Sequence, residues 1–129
     1  MADVANKKRC GKQFGNASEL IEVIYDFSVD AGATGDLSLL EAESDCIVHL
    51  RHALVQEACT SDGLMTLDVG KTGGDEFIGG TAVAALTLDS LHVGAAPVEL
   101  TAGEKIDMGI LTAALTAGKV KFVFEVFAK

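Results

Sequence analysis

The sequence predicts an all-β protein, a single β-sandwich of the jelly-roll or Greek-key type with about eight strands and a flexible N-terminal arm. Three observations support this fold class. Apolar and polar residues alternate with a period of two in several short runs, as they do along half-buried strands. The 14 glycines favour strands joined by tight turns. The chain of 129 residues is 49% apolar, which is enough for one domain with a hydrophobic core.

The N-terminal segment is polar and shows no hydrophobic periodicity, so we expect an arm at residues 1–17 and a sandwich domain at residues 18–129. Residues 1–15 contain four bases and one acid, a net charge of +3, which leaves −12 for the remaining 114 residues. The segment has no apolar stretch like that of a secretory signal, so we expect synthesis in the cytoplasm. The basic residues of the arm are candidates for binding a partner: Lys7, Lys8, Arg9 and Lys12.

The first strand is expected at Glu19–Ser28, where alternate residues form one apolar face: Ile21, Val23, Tyr25 and Phe27. Small residues at Ala31–Gly35 predict a turn, and Leu37–Leu40 is a short second strand. Asp45–Cys59 is ambiguous because its helix propensity is high. We nevertheless expect a long strand here, because the segments on both sides are predicted strands and its residues alternate between two faces. One of these faces would carry Cys46, Val48, Leu50 and His52.

The second half of the chain continues with a strand at Leu64–Val69 and a glycine loop at Gly70–Gly74. Asp75–Leu86 is expected to hold a helical turn or a meandering connection, with extended chain again from Val83 to Leu88. Further strands are predicted at Pro97–Leu100, Ile106–Leu111 and Lys119–Ala128. The last has the strongest alternation, with one apolar face made of Val120, Phe122, Phe124 and Val126.

The residues that most often carry chemistry do not form a recognisable site. Cys46, His49 and His52 would share a broad face of a helix and could hold a metal ion there, but on a strand His49 points away from the other two. Gly70-Lys71-Thr72 is similar to the end of a phosphate-binding loop, yet Met65 stands where its first glycine should be. The carboxylates are scattered and no catalytic motif is present. We therefore expect no enzyme activity, no metal and no cofactor.

Charge and cysteine content narrow the possible partners. The acidic body repels phosphate backbones, so we expect no nucleic-acid partner. No stretch approaches the roughly 18 apolar residues of a membrane span, so we expect no membrane partner either. Three cysteines without an export signal favour reduced thiols, although a Cys46–Cys59 bridge is compatible with the sequence.

Three stretches resemble the capsid decoration (cement) proteins of tailed bacteriophages, which are small β-sandwich proteins of the virion. Leu64–Leu86 (LMTLDVGKTGGDEFIGGTAVAAL) is similar to a strand, loop and alanine-rich connection found in that family. Leu111–Lys129 (LTAALTAGKVKFVFEVFAK) is closer still, with a turn at Thr116–Gly118 that begins a final alternating strand. Tyr25–Leu40 is similar to the N-terminal hairpin of the family. The likeness covers about residues 20–129.

The resemblance implies a structural protein on the virion that binds the outer capsid surface and cements neighbouring major capsid proteins, often as a homotrimer. The strand at Asp45–Cys59 and the basic arm depart from the family pattern and leave the contact residues open. One alternative is another virion or tail-associated β-sandwich. A second is a carbohydrate-binding module, which is disfavoured because the chain has no tryptophan and its one tyrosine, Tyr25, is expected to face the core.

Overall fold

The computed structural model describes residues 2–10 and 18–128. These residues form ten strands, a single-turn helix α1 (Phe27–Asp30) and one turn of 3₁₀-helix (Val83–Ala85). The strands are β1 (Ala2–Cys10), β2 (Glu19–Asp26), β3 (Gly35–Ala42), β4 (Cys46–Ser61), β5 (Thr66–Lys71), β6 (Ile78–Ala82), β7 (Leu91–His92), β8 (Val98–Leu100), β9 (Lys105–Leu111) and β10 (Leu115–Ala128).

Two sheets pack face to face, which confirms the predicted β-sandwich. The first sheet has the strand order β1-β3-β9-β5-β6. The second has the order β2-β10-β4-β7, and β8 also pairs with β4. The β1–β3 pair is parallel, whereas the other described pairs are antiparallel. The outer strands of the described sheets are therefore β1 and β6 in the first, and β2, β7 and β8 in the second.

Side chains from alternate positions of both sheets meet in one core. In β10 the predicted inward face is confirmed, because all four of its members are buried: Val120, Phe122, Phe124 and Val126. The Phe122 and Phe124 rings lie with their centroids 6.3 Å apart, and Phe77 packs against Phe124 at the same distance. The facing residues of β9 in the first sheet are Ile106, Met108 and Ile110, also buried.

The first predicted strand ends two residues earlier than expected. Asp26 accepts a hydrogen bond from the Ser28 backbone N–H at 3.0 Å and so caps α1, which turns the chain out of the sheet. Tyr25 faces the core as predicted, and its hydroxyl donates to the carbonyl of Ala31 at 2.6 Å. This bond ties the end of β2 to the turn that follows α1.

The long strand expected at Asp45–Cys59 is confirmed as β4, but its inward face changes phase at a bulge. The residues next to Phe124 and Val123 of β10 are Leu50 and His52, so Arg51 is an extra residue without a counterpart. Before the bulge the buried residues are Cys46, Val48 and Leu50, and after it they are Ala53 and Val55. His52 therefore lies on the opposite side from Cys46, and the sequence prediction was wrong here.

The N-terminal residues differ from the prediction of a flexible arm. Residues 2–10 form β1, which pairs with β3 and buries Val4 and Cys10 in the core. A register shift between Asp3 and Lys8 breaks the alternation, which is why the sequence does not look like a strand. The rest of the predicted arm, residues 11–17, lies outside the described residues.

The strand count also differs, with ten strands in the described residues instead of about eight. The sequence prediction missed β1, β6 and the two-residue β7. It allowed a helical turn within Asp75–Leu86, and a 3₁₀ turn lies there at Val83–Ala85, where extended chain was expected to resume. Thr116–Gly118, expected as a turn, lies within β10, where register shifts interrupt its pairing with β4. Gly118 fits there because its φ is 143° and a β-carbon would lie 2.6 Å from Cys59 Sγ.

Candidate partner-binding surfaces

The basic residues of β1 that were singled out in the sequence have different environments. Lys7 forms ion pairs with Asp3 at 3.3 Å and with Glu41 of β3 at 2.8 Å. The hydrogen bond between Lys7 and Glu41 raises the pKa of the ammonium and holds the pKa of the carboxyl below its usual value. Lys7 is therefore engaged in holding β1 against β3.

Two of the other basic residues, Lys8 and Arg9, also lie on β1. Lys8 is half-buried on β1, whereas Arg9 is exposed. Arg9 borders an open depression of about 510 Å³ that is also lined by Glu41 and Glu43. Lys12 lies outside the described residues.

The seam between β1 and β2 is closed by side chains. The backbone N–H of Ile24 donates to Asn6 Oδ1 at 2.9 Å, and the N–H of Ala5 donates to Asp30 Oδ1 at 2.6 Å. Asp30 Oδ2 accepts a further bond from the Asp26 N–H at 2.9 Å. These bonds link the two sheets along this side, so β1 is not an open strand edge.

Three aspartates lie on the outer face of the first sheet, and we call Asp36, Asp68 and Asp107 the aspartate cluster. Asp107 and Gly109 face outward because the residues between and beside them on β9 face the core. Pairing of β9 with β3 and β5 puts Asp36 and Asp68 on either side of Gly109. A β-carbon on Gly109 would lie 3.1 Å from Asp36 Oδ1 and 3.6 Å from Asp68 Cβ.

Asp107 is the most deeply placed member of the cluster. It is 2% exposed, and neither of its carboxylate oxygens has a hydrogen-bond partner within the described residues. Its register partner on β3 is Ser38, which is fully buried and whose hydroxyl also lacks a partner there. Its register partner on β5 is Gly70, and the carboxylate and backbone of Glu76 lie over that glycine. The register partners of Asp107 on both adjacent strands are thus small residues, and Glu76 covers the one on β5.

The electrostatics of the cluster are those of like charges held close together. Burial raises the pKa of Asp36, and the charges of Asp107 and Asp68 raise it further. Asp68 has a partner, since its Oδ1 accepts the Gly80 N–H at 2.7 Å. This cluster is not visible in the sequence because its members are far apart in the chain. The available signal was the alternation in Ile106–Leu111, which places Asp107 outward but does not show its burial.

The outer face of the second sheet shows the opposite behaviour. Glu125 of β10 pairs with Arg51 at 2.7 Å and accepts a hydrogen bond from Ser18 Oγ at 2.9 Å. These two bonds hold the pKa of Glu125 below its usual value. Farther along β10, Lys121 lies 3.8 Å from Glu22. These four charges therefore have partners within the chain.

The residues considered for metal or phosphate binding do not converge. His49 lies on the outer side of β4 as predicted, and the bulge at Arg51 puts His52 on that side too, while Cys46 points into the core. The structure, where described, has no group of three or more His, Cys, Asp or Glu residues arranged to hold a metal ion. Lys71 ends β5 and lies 3.7 Å from Glu104, so it belongs to a turn and an ion pair.

The cysteines are free and buried, so the Cys46–Cys59 bridge that the sequence allowed is not formed. Burial raises the pKa of Cys59 to about 11 and also raises the pKa of Cys10 and of Cys46. Such thiols are weak nucleophiles, which agrees with a packing role. No helix in the described residues is long and apolar enough to cross a membrane.

An apolar strip is exposed beside β7. Leu88, Leu91 and Val93 all have more than half of their surface exposed, within one short stretch of chain. β7 itself pairs with β4 over two residues, Leu91 and His92. Exposed apolar residues next to a short edge strand are typical of a surface that contacts another protein.

No protein-family model and no curated protein matches the sequence. Among solved structures, a chain of the cyanophage Pam1 capsid asymmetric unit is similar, with a TM-score of 0.59 and 14% sequence identity. The match covers 93% of this chain and 91% of that chain. At this identity the likeness concerns the fold, and it extends over almost the whole of both chains.

Proposed function

We propose that this protein is a non-enzymatic structural component of a tailed-phage virion that binds the outer surface of the capsid and links neighbouring major capsid proteins. The observation that carries the proposal is the fold likeness, along 93% of the chain, to a chain of the cyanophage Pam1 capsid asymmetric unit. The resemblance of Leu64–Leu86 and Leu111–Lys129 to capsid decoration proteins supports the same class.

The architecture suits a protein whose task is adhesion. One core joins both sheets, and side-chain bonds close the seam between β1 and β2, so the sandwich can hold several surfaces in fixed positions. Two kinds of surface are available for subunit contacts. The first is the apolar strip of Leu88, Leu91 and Val93, and the second is the basic pair Lys8 and Arg9 on β1, to which the sequence adds Lys12. Association as a homotrimer would multiply weak contacts on a symmetric shell.

The direct test mixes the purified protein with capsids assembled from the major capsid protein of the same genome. We expect co-sedimentation with a saturable stoichiometry, added density on the outside of the shell in electron micrographs, and trimers in analytical ultracentrifugation. Absence of binding to intact capsids would overturn the proposal. Density at the tail would instead favour another virion-associated sandwich.

The role of the basic residues needs a variant that preserves the fold. Removal of residues 2–10 would delete β1 and two core residues, so we choose the replacement of Lys8, Arg9 and Lys12 by alanine. A control with the same loss of charge replaces Lys71, Lys119 and Lys121. We expect weaker, more salt-sensitive attachment in the first variant alone. Equal attachment of both variants would remove these residues from the binding surface.

A further inference from the structure

We propose that the aspartate cluster (Asp36, Asp68 and Asp107) binds a lysine or arginine side chain presented by the capsid subunit on which this protein sits. The inference rests on the proposed function and names one point of contact within it. It follows from three properties of the cluster, which are an unpaired buried carboxylate, an excess of like charge and a floor without side chains.

The unpaired carboxylate is Asp107. A buried carboxylate is costly unless it is paired or hydrogen-bonded. Both oxygens of Asp107 lack such a partner within the described residues, although only 2% of the residue is exposed. A carboxylate with two unpaired oxygens is the acceptor that a guanidinium can bind with two parallel hydrogen bonds, or an ammonium with one. A cation from outside the chain would satisfy it.

The excess of like charge is shown by the pKa of Asp36. Burial raises this pKa, and the charges that raise it further are those of Asp107 and Asp68. Among the ion pairs of the described residues, none joins a basic side chain to Asp36, Asp68 or Asp107. The cluster thus has a surplus of negative charge that complements a basic partner.

The floor of the cluster is made by glycines. Gly109 lies between Asp36 and Asp68, and Gly70 lies beside Asp107 on the next strand. Gly70 is covered by the carboxylate and backbone of Glu76. Gly109 places no side chain between Asp36 and Asp68, so a long, narrow group such as the end of a lysine or arginine can approach the cluster there. The described residues have no three acidic, histidine or cysteine groups arranged to hold a metal, which favours an extended side chain over a metal ion.

The first variant is Asp107→Asn, which keeps the shape and removes the charge. We expect two opposite effects. The free protein should melt at a higher temperature because an unpaired buried charge has been removed. Attachment to capsids should weaken about 30-fold or more, because loss of one member of a buried charge pair mainly increases dissociation. A lower melting temperature would show that Asp107 stabilises the chain itself and would overturn the inference.

The second variant is Gly109→Ala, which keeps every charge and fills the space between the aspartates. Its β-carbon would lie 3.1 Å from Asp36 Oδ1, so we expect weaker attachment without a change in net charge. The matched control for the charge lost in Asp107→Asn is Asp62→Asn, which removes one exposed carboxylate from a turn at the end of the sandwich. Equal attachment of Gly109→Ala and the wild-type protein would overturn the inference.

The source of the cation is identified on the decorated capsids themselves. A carbodiimide couples a carboxylate directly to a lysine amine, and mass spectrometry of the digested product locates both ends. A link from Asp36 or Asp68 to the capsid subunit would support the inference, and a link to a second copy of this chain would overturn it. If the partner residue is arginine, replacing it by alanine should weaken wild-type attachment but not that of Asp107→Asn. Failure of the wild-type protein to bind capsids at all would instead reject the proposed function.

Discussion

The strands β9 and β10 occupy similar positions in the two sheets but differ in their outward faces. The inward residues of both strands are buried in the shared core, as Met108 in β9 and Phe124 in β10 are. Outward, Glu125 of β10 has a basic partner at 2.7 Å, whereas Asp107 of β9 is buried and unpaired within the described residues. Core packing therefore accounts for the inward side chains of both strands, but the buried, unpaired Asp107 on the outward side of β9 has no such explanation.

The contrast separates residues that maintain the fold from residues available for a partner. A charge that is paired at the surface contributes little to stability and needs no further explanation. A charge that is buried without a partner lowers stability, and native proteins keep few such groups. The outer face of the first sheet is thus the part of the sandwich where a function beyond folding is best supported.

The largest expected effect concerns the inward faces, which should be equivalent in the two strands. Phe124→Ala should lower the free energy of unfolding by about 3–5 kcal/mol and Met108→Ala by about 2–5 kcal/mol, because each leaves a cavity in the core. These losses are large beside a typical total of about 5–15 kcal/mol. Denaturant titration followed by circular dichroism measures both.

The control for the inward faces is Val123→Ala, on the outward side of β10. We expect a loss of about 1 kcal/mol or less there. A loss at Val123 as large as that at Phe124 would show that the facing of β10 is wrong by one residue.

A smaller effect, of opposite sign in the two strands, is expected from the outward faces. Asp107→Asn should raise the free energy of unfolding by about 1–3 kcal/mol, because an unpaired buried charge is removed. Glu125→Gln should lower it slightly, because an exposed ion pair with Arg51 is lost. Both are measured by denaturant titration at neutral pH. Changes of the same sign in the two variants would contradict the comparison.

Much of the fold could be predicted from the sequence, because regular alternation is a local signal. The facing of Val120–Val126 and the length of β4 follow from it directly. The signal fails where pairing is irregular. β1 carries a register shift between its two buried residues, and β4 changes phase at Arg51, so neither feature is visible in a period of two.

The candidate site was less predictable than the fold. The aspartate cluster joins residues from β3, β5 and β9, which become neighbours only when the first sheet is assembled. Alternation places Asp107 outward, and outward acids are usually solvated. Its burial depends on Ser38 and on the chain that folds over Gly70, neither of which can be inferred from the residues around Asp107.

The smallest expected effect is a difference in pH dependence between the two outer faces. The pKa of Glu125 is lowered in the folded protein, so its contribution to stability is present above its ordinary pKa of 4.5 and is lost as the pH falls through the folded value. The pKa of Asp36 is raised, so its protonation favours the folded state. Its stabilising effect is fully present below the ordinary pKa of 3.8 and is lost as the pH rises through the folded value.

On acidification from neutral pH, Glu125→Gln should therefore lose less stability than the wild-type protein, and Asp36→Asn should lose more. Unfolding free energies measured between about pH 3 and pH 7 test this, and a shift of the two variants in the same direction would contradict the distinction between a paired and an unpaired outer face.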